Sequence, residues 1–147
     1  MNELYKKKVY AYVTREKEGK LQLLVYANYD NPDAGLQVPG GSVEHGETLV
    51  SALLRDILEE SGLNNVKIEK TIADELIHVK EKNEYQQRYF CHATLTADVK
   101  DEWLHTVTSG EDNGHVFQFK WIDADQCTAL IENQGAYVHL LKTIPQA

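Results

Sequence analysis

The sequence predicts a single α/β domain in which a mixed β-sheet packs between helices. Stretches of alternating apolar and polar residues lie on both sides of one strongly amphipathic segment, residues 47–61, and two further helical patterns follow the last of them. The length of 147 residues suits one domain with its own core. Because the chain contains no repeat or low-complexity tract, we expect residues 1–147 to form one unit.

The strands follow from alternation and from turn residues between them. Residues 8–14 and 21–27 flank the turn-like run Glu16-Lys17-Glu18-Gly19 and predict a β-hairpin. Residues 28–35 have the composition of a loop. Further strands are predicted at residues 36–38, 66–73, 75–79, 85–96 and 116–122, and residues 98–113 are predicted to be a polar loop.

Three segments have helical patterns. Residues 47–61 form the clearest one, and Gly62 follows it as a typical helix stop. Residues 124–131 and 135–144 predict two helices near the end of the chain. On a helical wheel of residues 47–61, the predicted core face consists of Val50, Leu53, Leu54, Ile57 and Leu58.

Composition limits the function classes. The 15 basic and 23 acidic residues give a formal charge of −8, so a general binder of nucleic acid or of an anionic membrane surface is not expected. An anionic small substrate requires a cation or a local basic patch. Cys91 and Cys127 form no CxxC pair and are expected to be reduced thiols. With no apolar stretch typical of a signal peptide, we expect a cytoplasmic protein.

The helix at 47–61 carries three acids where acids are unfavourable. Asp56, Glu59 and Glu60 share an arc with Ala52, one turn earlier, and the three acids lie in the last turns of the helix. Like charges at these spacings cost about 0.2–0.5 kcal/mol per pair, and the negative end of the helix dipole adds about 0.3–1 kcal/mol for each anion. A divalent cation relieves both penalties, and hard ions such as Mg²⁺ prefer oxygen ligands.

The loop before this helix supports a cation–phosphate site. Pro39-Gly40-Gly41 allows the backbone to approach a ligand closely, and Gly46 breaks the chain again just before the helix. The competing interpretation is a solvated acidic helix face, with Arg55 paired to Glu59 at i+4.

The same segment resembles the Nudix box, G-x5-E-x7-R-E-U-x-E-E-x-G-U, in which U is aliphatic. The match begins at Gly41 and ends at Leu63, so the box covers residues 41–63. The defined positions include Glu47, Arg55, Glu59, Glu60, Gly62 and Leu63, and the one departure is Asp56, where the family has Glu. The chain is therefore identified as a suspected member of the MutT-like Nudix hydrolases.

The resemblance implies a Nudix α/β/α sandwich and hydrolysis, dependent on Mg²⁺ or Mn²⁺, of a nucleoside diphosphate linked to another group. It implies that Asp56, Glu59 and Glu60 are catalytic and metal-binding carboxylates, together with the backbone carbonyl of Gly40. Gly40 and Gly41 are expected to bind substrate. Arg55 is expected to orient the acids and Glu47 to support them.

Some assignments stay open at this stage. Asp is one methylene shorter than Glu, which pulls the carboxylate at position 56 back by about 1.5 Å. A further metal ligand or general base is expected from a later loop, where the candidates are Glu102, Glu111, Asp112 and His115. The candidate phosphate ligands outside the box are Lys6, Lys8, Arg15 and Arg88.

Three other functions compete with hydrolysis. The first is a catalytically weakened nucleotide-binding or sensor module, because of Asp56. An isopentenyl diphosphate isomerase would share the fold, but no cysteine lies close to the box. In a purely structural domain the acids would simply be solvated. The substrate is expected to be a small nucleotide or nucleotide conjugate, and the exposed edge of the hairpin allows a homodimer.

Overall fold

The computed structural model describes the backbone of residues 4–143, and the side chains of that range except those of residues 4, 127–129, 142 and 143. It contains seven strands and one α-helix among these residues. The strands are β1 (Leu4–Lys17), β2 (Lys20–Asn28), β3 (Gly40–Ser42), β4 (Val66–Val79), β5 (Glu84–Leu95), β6 (Glu102–Thr106) and β7 (Val116–Asp123), and the helix is α1 (Leu49–Ser61).

All the strands belong to one mixed sheet with the order β4-β5-β1-β2-β7-β6. Only β1 and β5 run parallel to each other, and the remaining pairs are antiparallel. Strand β1 changes partner along its length. Its second half pairs with β2, with Thr14 opposite Leu23, while its first half pairs with β3, with Tyr10 opposite Gly40. The glycine loop is therefore held inside the sheet, directly beside the central strand.

Both ends of α1 are capped as its sequence favours. The hydroxyl of Thr48 accepts a hydrogen bond from the Ser51 amide at 3.0 Å, so the helix begins two residues after the predicted start. Gly62 adopts a left-handed conformation (φ 79°), and its amide donates to the Leu58 carbonyl. Glu47 lies before the helix.

The predicted core face of α1 is wrong in part. Leu53 and Ile57 are fully buried, but Val50, Leu54 and Leu58 are 49%, 40% and 50% exposed. The helix is rotated so that its buried side includes the arc of Ala52, Asp56 and Glu60, which contains both of its buried acids. The helical wheel places the centre of the core face on the larger aliphatic residues. In the structure, the helix instead approaches the sheet on the side of Ala52, whose small side chain is fully buried.

The other face of the sheet is covered by short 3-10 segments. Helices were predicted at residues 124–131 and 135–144, but the structure has 3-10 segments at Ala124–Ala129, Ile131–Asn133 and Val138–Thr143, and residue 144 lies outside the described residues. Glu132 and Asn133 have positive φ angles, which interrupt a continuous helix. The Oε1 atom of Gln134 accepts a hydrogen bond from the Val38 amide at 2.8 Å, which fixes this segment against the loop before β3.

Three other local predictions need correction. The predicted loop at 98–113 contains β6, which Trp103 anchors by stacking on Phe119 at 5.1 Å. Residues 36–38 form only two isolated bridges, and the strands predicted at 66–73 and 75–79 are one strand, β4, with two register shifts. The remaining strand predictions and the hairpin are confirmed.

Cys91 is a buried, free thiol, as predicted, whereas the side chain of Cys127 lies outside the described residues. No helix within residues 4–143 is long and apolar enough to cross a membrane.

Candidate active site

The box residues meet at a cavity of about 560 Å³ between α1, β1, β3 and the loop between β6 and β7. Its acidic end is lined by Asp56, Glu59 and Glu60 from the helix and by Gly40 and Gly41 from the strand beside it. A larger groove of about 1120 Å³ lies elsewhere along the sheet, near Thr14 and His92, but no box residue lines it. The predicted site residues other than Glu47 are therefore brought together around one cavity.

Arg55 holds the site together through its guanidinium group. Its Nε and one terminal nitrogen donate to the two carboxylate oxygens of Glu47, both at 2.9 Å. The same terminal nitrogen donates to the Ser42 carbonyl at 3.1 Å, and the other one donates to Asp56 Oδ1 at 3.1 Å and lies 3.6 Å from Glu59. The hydrogen bonds from Arg55 lower the pKa of Glu47. Arg55 thus contacts Glu47, Asp56 and Glu59 at once, while its role in orienting the acids and that of Glu47 in supporting them stay predictions.

Asp56 and Glu60 are the unusual members of the cluster, because both carboxylates are only 5% exposed. Burial raises the pKa of Asp56 to about 7; Arg55 opposes this shift and Glu59 adds to it. Burial also raises the pKa of Glu60 well above its ordinary value, and Asp56 raises it further. Glu60 Oε1 accepts a hydrogen bond from the Gly40 amide at 3.1 Å, but Asp56 Oδ2 has no hydrogen-bond partner among the described residues.

Gly40 and Gly41, the last residue before the box and its first, are required by close packing. A Cβ atom at Gly40 would lie 2.3 Å from the Val9 carbonyl oxygen, and one at Gly41 would lie 2.9 Å from Asp56 Oδ2. Any side chain at either position would therefore displace the sheet or the buried carboxylate. These contacts explain why the strand beside the acids begins with two glycines.

The loop between β6 and β7 closes the acidic end of the cavity. Glu111, Asp112 and His115 line it, whereas Glu102 lies on β6, opposite Lys120, and is not a lining residue. Gly110 has a φ of 79°, and a Cβ atom there would lie 2.5 Å from Glu59 Oε2. Gly110 is not among the predicted site residues, although its position in a Ser-Gly-Glu-Asp run is a turn signal.

The cavity is also lined by amide and aromatic side chains that the box does not contain. The aromatic wall includes Tyr26 and Phe117, whose ring centroids are 4.4 Å apart. The amides of Asn28, Gln37 and Gln134 also line the cavity. No local pattern marks these amides as site residues, because they come from three separate segments of the chain.

The donors at the acidic end suit a hard cation, but they are not gathered around one point. Carboxylate and carbonyl oxygens are the ligands that Mg²⁺ and Mn²⁺ prefer. Asp56 Oδ2 is buried and has no hydrogen-bond partner among the described residues, so it is available as a metal ligand. Among the described side chains, no three His, Cys, Asp or Glu residues already form a group that would hold an ion. A cation would therefore bring these side chains closer together.

Fold and site define a Nudix domain. The family model described as "NUDIX domain" matches residues 4–142, and the chain belongs to this family. It is 24% identical to the RNA pyrophosphohydrolase of Bartonella clarridgeiae over 131 residues, which cover 82% of this chain and 74% of that protein. With the family, this relative supports a Nudix-type pyrophosphohydrolase as the class of enzyme.

Solved structures agree on the fold. The Ap4A hydrolase of C. elegans superposes with a TM-score of 0.66 at 17% identity, and the match covers 95% of this chain and 98% of that one. The NUDIX domain of Shewanella oneidensis NrtR, solved with ADP ribose, gives a TM-score of 0.68 at 15% identity over 97% of this chain and 88% of that one. The predicted mixed-sheet Nudix fold is confirmed, with α1 on one face of the sheet and 3-10 segments on the other.

Proposed function

We propose that this chain hydrolyses the pyrophosphate of a nucleoside diphosphate linked to another group, with Mg²⁺ or Mn²⁺ as its cofactor. The observation that carries the proposal is the pair of buried carboxylates, Asp56 and Glu60, against the backbone of Gly40 and Gly41. Two neighbouring carboxylates in a low-dielectric environment are stable only when they are protonated or when a cation balances their negative charge. A cation with a pyrophosphate provides that balance.

The residues that would hold the cation are Asp56, Glu59, Glu60 and the carbonyl of Gly40. When bound, such an ion neutralises phosphate charge and lowers the pKa of a coordinated water. Arg55 keeps three carboxylate side chains oriented through its contacts with Glu47, Asp56 and Glu59. Its guanidinium is therefore a positioning group.

The chain must also accept the proton of the attacking water. The new bond joins the water oxygen to phosphorus, the bridging P–O bond breaks, and the proton passes to a carboxylate. We propose a member of the helix set, Asp56, Glu59 or Glu60, as that acceptor, with Glu111 and Asp112 of the closing loop as the further candidates. His115 is held by Asn28 at 3.3 Å on the side of the amides.

The amide and aromatic part of the cavity is proposed to hold the nucleoside. Amides can donate and accept hydrogen bonds at base edges, and aromatic rings provide stacking surfaces. The uncharged Asn28, Gln37 and Gln134 suit the nucleoside, whereas the acids of α1 would face the phosphates through a cation. A small-molecule nucleotide is thus the proposed partner, and the cytoplasmic location and the homodimer stay predictions.

The second candidate is a nucleotide-binding module with weakened catalysis. It is favoured by Asp56, which is shorter than the family's Glu, and by the lack of a preformed cation group within the described residues. A misplacement of about 1 Å can cost roughly 10²-fold in rate, so the shorter acid is a specific reason to test turnover directly.

The test is a substrate panel with Mg²⁺ or Mn²⁺. Purified protein is incubated with nucleoside triphosphates, dinucleoside polyphosphates, nucleoside diphosphate sugars and 5′-triphosphorylated RNA, and the products are separated by chromatography. We expect cleavage at a pyrophosphate in at least one class, loss of cleavage in Glu60→Gln, and unchanged cleavage in the exposed control Glu81→Gln. Intact substrates throughout the panel would refute the proposal, and binding without turnover would favour the second candidate.

A further inference from the structure

We propose that Lys8 is the residue that binds a substrate phosphate outside the cation site. This inference rests on the proposed function and adds a specific residue to it. Lys8 lies on β1 opposite Ser42 of β3, and its side chain lines the cavity next to the acids. Lys8 and Arg55 are the two basic residues among the described lining residues of this cavity.

Arg55 is not available for substrate. Its donors are directed to Glu47, Asp56 and the Ser42 carbonyl, so its charge and hydrogen bonds are used inside the acid cluster. By contrast, the ammonium of Lys8 has one hydrogen-bond partner among the described residues, the Ser42 hydroxyl at 3.3 Å. An ammonium group carries three donors, so Lys8 keeps donors for a phosphate.

The other basic candidates are committed elsewhere. Lys6 lies 3.6 Å from the buried carboxylate of Glu84. Arg88 is 6% exposed and donates to Gln86 Oε1 at 3.1 Å and to the Glu132 carbonyl at 2.9 Å. The charge of the exposed Lys6 is thus paired with Glu84, and the buried Arg88 is part of the folded core.

Arg15 is excluded by its position. It pairs with Asp101 at 2.9 Å and stacks over the Trp121 ring at 4.4 Å, on the half of β1 that pairs with β2. It lines the other groove and not the cavity that contains the box acids. Of the four candidates from the sequence, only Lys8 combines a place in the cavity with unused donors.

The charge of the cavity gives Lys8 a specific task. The lining includes acids from several elements, among them Asp56, Glu60, Glu111 and Asp112, which repel a polyanionic substrate wherever a cation does not face them. Lys8 is half-buried, and its ammonium attracts phosphate charge without fixing a base orientation, because it is a flexible point charge. Lys8 should therefore strengthen binding of every phosphorylated substrate to a similar degree.

The test compares Lys8→Met with Lys8→Arg and with Lys7→Met. Lys7 is the adjacent exposed lysine on β1 and does not line this cavity. Lys7→Met makes the same change in net charge as Lys8→Met and therefore serves as its control. Because a hydrogen bond to a charged group contributes about 1.5–3 kcal/mol, we expect Lys8→Met to raise KM about tenfold to a hundredfold with a much smaller change in kcat. Lys8→Arg should recover part of the loss, and Lys7→Met should stay within about twofold of the wild type, as surface charges do.

Inorganic pyrophosphate separates this inference from the proposed function. With Mg²⁺ present, its binding is measured by calorimetry for the wild type, Lys8→Met and Lys7→Met. Weaker pyrophosphate binding in Lys8→Met alone supports the role of Lys8, even if no substrate is turned over. In that case only the proposed hydrolytic function is refuted. Equal binding in the two variants, or an equal KM when turnover is present, would overturn the role of Lys8. Circular dichroism confirms that each variant is folded.

Discussion

Two buried charged clusters in this chain differ in how they are compensated. On β5, Glu84 and Arg88 are 2% and 6% exposed, and Gln86 lies between them and hydrogen-bonds to both. Lys6 and Glu75 add one positive and one negative side chain to this cluster. On α1, Asp56 and Glu60 are equally buried, but the charge of Arg55 is shared by the carboxylates of Glu47, Asp56 and Glu59, and no ion pair joins Glu60 to a cation among the described residues.

The difference is visible in the acids themselves. The hydrogen bond from Gln86 lowers the pKa of Glu84, whereas burial raises the pKa of Asp56 to about 7. A buried polar cluster with every member partnered stabilises one folded state, while an under-compensated one is expected at a site that binds a ligand. The β5 cluster is thus part of the core, and the α1 cluster is the candidate active site.

The largest effect on stability is expected from Arg88→Met. Because it removes the donor to the buried Gln86 and to the Glu132 carbonyl, and the cation 3.9 Å from the half-buried Glu75, the free energy of unfolding should fall by about 3–5 kcal/mol. Urea denaturation followed by circular dichroism measures the change. The exposed control Lys20→Met should change the free energy of unfolding by less than about 0.5 kcal/mol, as exposed positions usually do. Similar values for the two variants would show that the β5 cluster is not structural.

Glu60→Gln should have the opposite profile. Its turnover should fall about 10²–10³-fold, as for removal of one charge-stabilising group, while its free energy of unfolding in EDTA stays equal or rises because a buried charge is removed. The matched variant Glu84→Gln should lose about 1–3 kcal/mol of folding stability and keep its turnover. Normal turnover in Glu60→Gln would contradict the assignment of the α1 cluster as the active site.

Gly41→Ala tests the close contact within the α1 cluster. The new methyl group would lie 2.9 Å from Asp56 Oδ2, so the carboxylate must move; turnover should fall about 10²-fold and stability by about 1–3 kcal/mol. Combining it with Asp56→Ala should restore stability but not turnover. If the two mutations were additive in the free energy of unfolding, the contact would not be the cause.

The smallest effect concerns pH. The pKa of folded Asp56 is about 7 and its ordinary value is 3.8, so the folded state binds more protons between these values. The melting temperature in EDTA should therefore decrease as the pH rises from 4 towards 8, because deprotonation favours the unfolded chain. Scanning calorimetry of the wild type and Asp56→Asn measures this slope. The variant should show a flatter pH dependence, and parallel curves would contradict the raised pKa.

Local sequence signals predicted much of this molecule. Thr48 and Gly62 cap α1 because their side-chain and backbone preferences act within one helical turn. Strands β1, β2, β5 and β7 are marked by alternation, so they too were predictable. The short strand β6 and the 3-10 segments were not, because their conformations depend on contacts such as Trp103 on Phe119 and Gln134 on Val38.

The sequence alone determined the spacing of the box, and with it which side chains share one face of α1 with Asp56 and Glu60. Only the tertiary structure decided that this face turns towards the sheet while Leu54 and Leu58 remain partly exposed. The physical reason is that helical periodicity fixes relative angles within a helix, whereas its rotation depends on what it packs against. Here that partner is β3, whose Gly41 has no side chain to keep Asp56 away.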